Sequence, residues 1–587
     1  MGTEGEEGRY AEEQDQIALR IGKGALEGDH ADRKGGDHQR EPRHCQNQGA
    51  GEAFVAERDL KGLALLALGN IDEGYNYLYK ASWCYDYKAP AMLSIGLLDM
   101  RRKDYVKAVE HLTESMYGNA RSVVAEAFLG YAEYLLGNKA KAECVWNSAI
   151  EKDKLNLYTY AFRAITTGDY KTFSDIVDTD INQVALDISE LLAEAGLYNE
   201  IAELLKGIAN YRPLTAMTDF TLCVITGKKP ENAPVGIAFP SRMFEKHILE
   251  KVLALDPANT YARYLYGCLL YGKGNYEAGI EEFETIVNTE DNYRALRNLS
   301  MGYYSHRNNK AKALELMKKA AELAPKTEKQ ITFECAHLMA KVGVGAEEIA
   351  SFILGRGVNR DELVVELARA YNHSGKADMA IKALLDRKFV ACEGGEHYIA
   401  DEYMFAHYLK GKDAYLAGNY EEALNIFRTA QVLPESLGSG LWNSIKKVPY
   451  QYFEAKCLEK LGKGDEAEAI YRHFCTYKFD FFTDMYLYTF AYYAARALEA
   501  LGKKDEADKL IKGRFEAWSA ECARETLGYF GTTPFFIGYI DEAVSAKKLH
   551  YSYPLYLFAS YLGMDASEYK NTFSKDGYGL YIEDFTV

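Results

Sequence analysis

The sequence predicts an all-α protein, a right-handed α–α solenoid of helical hairpins, and three observations carry that prediction. Short glycine turns recur along the chain, amphipathic helical stretches flank each turn, and a small residue follows on the first inward turn of the second helix. LGNIDEG at 68–74, LGNKAKA at 136–142, GKGNYEAG at 272–279, SGKADMA at 374–380, AGNYEEA at 417–423, LGKGDEA at 461–467 and LGKKDEA at 501–507 share the pattern. Glycine accepts the left-handed backbone that closes a helix, and the alanine or glycine beyond it lets the second helix approach the first.

The spacing names the repeat. From Gly69 through Lys103 to Gly137 the interval is 34 residues each time, and it is 34 again from Gly274 to Asn308, which is the tetratricopeptide period. Gly62, Gly96, Gly130, Gly267 and Gly411 each stand seven residues before a turn, and second helices end in LDP at 255–257 and LAP at 323–325. After Gly375 the turns at Gly418, Gly462 and Gly502 lie farther apart, so longer helices or insertions such as ESLGSGLWNSIKK are expected there. Between 206 and 241 a proline and glycine cluster blurs the pattern. The expected organisation is a disordered tail over 1–53, a first array over 54–223, a loop or joint over 224–241, and a second array over 242–587 with longer repeats.

Composition narrows the partners. The formal charge is −17 without a basic block, which argues against nucleic acid. The N-terminus MGTEGEEGRYAEEQDQ is acidic where a signal peptide is basic, and apolar runs such as LALLALG at 63–69 cannot span a bilayer. Ten scattered cysteines without a CxxC pair read as small buried hydrophobes in a reducing compartment, so the expected location is the cytoplasm. His30, His38, His44 and Cys45 sit in the glycine-rich tail at no zinc-binding spacing, and neither a metal nor a cofactor is expected.

Tyrosine supplies the candidate site. Tyr264, Tyr408, Tyr452 and Tyr492 each lie ten residues before a turn glycine, and Tyr134, Tyr271 and Tyr415 lie three before. Both offsets fall on the first helix of the hairpin, which lines the concave surface of such a stack. A ladder of phenols there offers broad apolar faces and one hydroxyl each to an extended peptide or a glycan. The competing reading is packing between neighbouring hairpins. Lys412, Lys456 and Arg496, each six residues before a turn glycine, add a row of cations able to clamp a carboxylate terminus.

The chain contains no phosphate-binding glycine loop, HExxH or GxSxG. Glu393 and Glu396, beside His397 in CEGGEH, are the carboxylates that a sugar chemistry would use, although capping of a loop between helices explains the same residues.

Five passages, GIAFPSRMFEKHILEKVLALDP (236–257), RALRNLSMGYYSHRNNKAKALELMKKA (294–320), KFVACEGGEH (388–397), RTAQVLPESLGSG (428–440) and GYFGTTPFFIGYIDEAV (528–544), carry a resemblance to a known family. They resemble the C-terminal tetratricopeptide region of a bacterial family whose full members begin with a galactose-mutarotase-like β-sandwich of unknown function. That family shows His, Pro and Trp before EGGE, where this chain has Val390, Ala391 and Cys392, and residues 1–53 are too short for the β-sandwich. The resemblance implies a repeat scaffold that packs against such a β-sandwich or binds another protein segment. The leading expectation is therefore a non-enzymatic scaffold that binds through its tyrosine-rich concave surface. The alternative is a glycan-binding module or part of a sugar-processing enzyme.

Overall fold

The computed structural model describes residues 60–118, 122–177, 180–230, 238–358, 360–390, 396–439, 444–476, 489–524, 540–574 and 579–586. Apart from two short 3-10 turns, Glu435–Leu437 and Ser444–Lys447, every regular element among them is an α-helix. The expected tail over 1–53, with His30, His38, His44 and Cys45, lies outside the described residues.

Contacts divide the chain between Arg212 and Pro213, ahead of the stretch 224–241 read as a joint. Unit 1 begins with a helix over 60–67 and continues as α1 (Ile71–Ala81), α2 (Tyr85–Arg101), α3 (Tyr105–Gly118), α4 (Val123–Leu135), α5 (Lys139–Lys152), α6 (Leu157–Thr167), α7 (Tyr170–Ile176), α8 (Ile181–Glu194) and α9 (Tyr198–Ala209). Unit 2 opens with α10 (Ala216–Thr226) and α11 (Met243–Leu255). Its hairpins then follow as α12 (Thr260–Gly272) with α13 (Tyr276–Val287), α14 (Tyr293–Ser305) with α15 (Lys310–Leu323), α16 (Lys329–Lys341) with α17 (Ala346–Arg356), and α18 (Asp361–His373) with α19 (Ala377–Leu385). The last four are α20 (Glu396–Leu416) with α21 (Tyr420–Ala430), α22 (Val448–Lys460) with α23 (Gly464–Phe474), α24 (Phe490–Ala500) with α25 (Lys504–Ala523), and α26 (Ile540–Tyr561) with α27 (Ser567–Phe573). Each helix packs on its hairpin partner and on the next hairpin, so these are tetratricopeptide repeats.

The turns close as the sequence requires. Gly137 has φ +86°, its N–H donates to the Tyr134 carbonyl at 2.9 Å, and Asn138 N–H donates to the Glu133 carbonyl at 2.9 Å. This pairing satisfies the last carbonyls of α4 while the chain reverses. Where the 34-residue register places Lys103 and Asn308, those two side chains take positive φ, 60° and 45°, and no other non-glycine residue does among the described residues. Repeat geometry therefore overrides residue preference at both positions.

Close approach of paired helices explains the second glycine position. A Cβ on Gly130 would stand 2.2 Å from Trp146 Nε1, so the indole occupies the space a side chain would need, and it donates from there to the Ala127 carbonyl at 3.1 Å. The small residue beyond the turn is buried at Ala108, Ala142, Ala313, Ala380, Ala423 and Ala507. Gly168, Gly196, Gly343 and Gly563, also at positive φ, close hairpins whose spacing departs from 34.

Unit 1 closes on itself. Its last hairpin, α8–α9, returns to earlier repeats, with α8 in contact with α2 and α9 with α6. Tyr131, on α4, is buried, stacks on Phe162 at 4.4 Å and donates to Glu200 Oε1 at 2.8 Å. Gly196, at the α8–α9 turn, lies against Arg101 at the end of α2, with no room for a Cβ. Unit 2 carries one continuous apolar core from Ile280 to Phe573. No described helix is long and apolar enough to cross a membrane.

Candidate peptide-binding face of unit 2

Helices α20, α22 and α24 are the first helices of three consecutive hairpins, and they bring Tyr408, Tyr452, Tyr492 and Tyr493 to one face. Across that face lies the chain's own C-terminal segment, residues 579–586, without regular secondary structure. Tyr493 donates its hydroxyl to the Ile582 carbonyl at 2.8 Å, and Tyr408 donates to the Glu583 carbonyl at 2.9 Å. Tyr492 donates to Asp584 Oδ2 at 3.0 Å, and the Tyr452 hydroxyl meets Thr586 Oγ1 at 3.3 Å. Burial and the neighbouring carboxylates Glu583 and Asp584 raise the Tyr408 and Tyr492 hydroxyls above their ordinary range, which keeps both as donors.

An aromatic pocket and a cation row complete the grip. Phe585 stacks on Phe453 at 4.5 Å and approaches Tyr415 at 5.3 Å, Tyr408 at 6.0 Å and Phe427 at 6.3 Å. Tyr581 packs between Tyr553 and Phe573, each at 4.9 Å. Arg496 Nε stands 3.5 Å from the buried carboxylate of Asp584, and Lys412 Nζ stands 3.8 Å from Glu583 Oε2. Lys456 pairs with Glu459 on its own helix at 3.0 Å and lies over the Tyr452 ring. Two of the three cations thus meet carboxylates of the C-terminal segment, both on side chains.

No protein-family model matches the chain. Among solved structures it is similar to Naa15/Naa10 bound to HypK-THB (12% identity, 91% of this chain and 86% of that one, TM-score 0.25) and to the P58(IPK) TPR domain (12%, 78% and 97%, 0.23). A tetratricopeptide repeat protein from Parabacteroides merdae ATCC 43184 matches at 11% identity over 49% of this chain and 98% of its own, with a TM-score of 0.18. At these TM-scores the hairpin geometry of this chain, and not the overlap, carries the fold assignment.

The remaining candidates lie apart from the tail. Tyr264, on α12, is part-buried and accepts from Asn298 Nδ2 of α14 at 3.4 Å. Tyr271 packs against Tyr276 at 5.1 Å and His306 at 5.2 Å, and burial pushes its hydroxyl up to about 12. Tyr134 belongs to unit 1, half-buried against Tyr131 and Trp146. The expected ladder is therefore discontinuous: Tyr408, Tyr415, Tyr452 and Tyr492 gather at the tail, while Tyr134, Tyr264 and Tyr271 pack within their own hairpins or against the next one. Glu393 and the side chains of Glu396 and His397 lie outside the described residues.

Two features are absent from the sequence reading. One is the tail itself, whose acidic pair Glu583 and Asp584, set between the apolar residues of LYIEDFTV and opposite in charge to Lys412 and Arg496, was the available signal. The other is a charged network along α14, α16, α18 and α20. Arg297 donates to Glu334 through Nε at 2.7 Å and Nη2 at 2.5 Å, His337 meets Glu366 at 3.2 Å, and Arg369 joins Glu366 at 3.3 Å to Glu402 at 2.6 Å. Asn372 donates to Glu402 Oε2 at 3.0 Å, and Glu402 is fully buried.

Proposed function

We propose that this chain is a non-enzymatic tetratricopeptide scaffold that binds an extended protein segment along the first-helix face of unit 2. The observation that supports this reading is chemical: Tyr408 and Tyr493 donate to main-chain carbonyls of an extended segment, a contact open to peptides of many sequences. Aromatic side chains bury area at a low entropic cost, which suits a face that must hold flexible chain. The resemblance to the repeat region of a mutarotase-like family adds a β-sandwich domain as a candidate partner, in a bacterial cytoplasm.

His337 is half-exposed on α16 and stands six residues before the turn at Gly343, the register at which Lys412 meets the tail. Lys319 is half-exposed on α15, a second helix. His337→Glu sets a second carboxylate beside buried Glu366, so variants are compared only where circular dichroism shows them folded. Capture of proteins from cytoplasmic extract by the full chain is then expected to fall with His337→Glu and to persist with Lys319→Glu. Equal capture by both variants would remove the first-helix face as the interaction surface.

A further inference from the structure

The tail packs Leu580, Tyr581, Ile582 and Phe585 against the unit 2 core, but without main-chain pairing. Among the described residues no main-chain-to-main-chain hydrogen bond ties residues 579–586 to a helix; their contacts include four phenol hydroxyls, the Phe585 pocket, the Tyr581 ring between Tyr553 and Phe573, and two cations. None of these contacts requires the segment to be covalently attached to α27.

We infer that this part of the face is a recognition site for an extended partner segment of acidic–aromatic character, occupied by the chain's own tail until such a segment displaces it. The inference rests on the scaffold reading above and names its ligand. Position by position, the site specifies an apolar residue where Ile582 sits, with its carbonyl taken by Tyr493. A residue with an outward side chain follows, with its carbonyl taken by Tyr408; the Glu583 carboxylate there is 56% exposed. Next comes a carboxylate for Tyr492 and Arg496, which fully desolvate Asp584, whose side chain is 2% exposed. Last comes an aromatic ring for the pocket of Phe453, Tyr415, Tyr408 and Phe427. On a chain of net charge −17, Lys412 and Arg496 favour acid at this patch, Arg496 also donating to Glu499 on its own helix at 2.6 Å.

Tethering sets the threshold for displacement. Attachment to the same chain holds the tail at an effective concentration on the order of millimolar, and a competing segment binds with an affinity reduced by the fraction of time the site stands open. Weakening the tail alone must therefore strengthen binding of the same sequence supplied from outside.

The test uses a fluorescein-labelled peptide LYIEDFTV, the sequence of residues 580–587, titrated by anisotropy into the full chain and its Phe585→Ala variant. The expected result is saturable binding at least about tenfold tighter to the variant than to wild type, and loss of that binding when the peptide carries Phe585→Ala or Asp584→Lys. If circular dichroism finds Phe585→Ala unfolded, Asp584→Lys in the full chain releases the tail by charge instead. A folded variant that binds the peptide no better than wild type, or binds a scrambled peptide equally, overturns the inference. So does a wild-type dimer that the peptide fails to dissociate, which would assign the site to the tail of a second copy. Loss of capture by His337→Glu without any peptide gain in the tail variants would overturn this inference and leave the scaffold reading standing.

Discussion

Units 1 and 2 are built from the same hairpin, and each covers part of its first-helix face, but with different material. Unit 1 uses a whole hairpin: α8–α9 returns over α2 and α4, buries Tyr131 and brings fully buried Leu192 and Leu204. Unit 2 uses a few residues of extended chain, held by side chains alone. The first closure is part of a hydrophobic core and opens only with that core. The second packs Leu580, Tyr581, Ile582 and Phe585 on the unit 2 core, and displacement by a partner segment requires it to open without that core. A repeat face is therefore defined less by its own residues than by how deeply its cover is embedded.

Substitutions in the two covers would break this contrast if it is wrong. The largest effect is expected from Leu192→Ala, which removes a fully buried side chain of α8 and costs unit 1 about 3 kcal/mol. Hydrogen exchange would then rise across α2, α4, α8 and α9 together. Phe585→Ala removes about 2 kcal/mol of apolar contact from the tail. Exchange at 580–586 should rise while amides in α20, α22 and α24 stay protected; matching losses in those helices would make the tail part of the core.

Acid sharpens the comparison from the side of unit 2. Burial pushes the imidazole of His550, on α26, down to about 4, and that of His407, on α20, below its ordinary 6.5. The unfolded chain takes up protons that the folded hairpins refuse, so stability from the neutral rings is complete above 6.5 and is lost as pH falls toward 4. Thermal melts should show a unit 2 transition that drops on acidification from about pH 7 to about pH 5, and His550→Gln should flatten that dependence.

The smallest effect tests what the units share. Lys103→Gly in unit 1 and Asn308→Gly in unit 2 relieve a left-handed backbone at equivalent turns, and each should raise stability by roughly 0.5–1 kcal/mol. A melting temperature that falls instead would mean that the side chain contributes more at the turn than its strain costs.

Much of the fold is legible because its rules are local. A turn glycine, a residue seven before it and an alanine beyond it are enough to place α4–α5 or α20–α21. Hairpins such as α16–α17, closed by Gly343, escape because their intervals depart from 34 residues and no consensus glycine precedes the turn. The site is legible only by half. The register of Tyr408, Tyr452, Tyr492, Lys412 and Arg496 follows from the repeat, but what they hold does not. Tyr408 and Glu583 are 175 residues apart, and no periodicity links a tail to the helices that receive it. Tyr408, Tyr452 and Tyr492 bury their rings in the core and turn their hydroxyls to residues 583–586 of the same chain.

The charged network of α14 to α20 bears on how such a protein can change over generations. Repeat arrays ordinarily grow and shrink by duplicating or deleting a hairpin, because neighbouring interfaces resemble one another. Here Glu402 of one hairpin takes its countercharge from Arg369 of the hairpin before it, and Glu366 lies 3.2 Å from the His337 ring of the one before that. A hairpin inserted between α19 and α20 without an arginine at the Arg369 position would strand buried Glu402, a loss of about 3–5 kcal/mol. That stretch is consequently locked in repeat number, and variation in the length of the array is confined to its flanks.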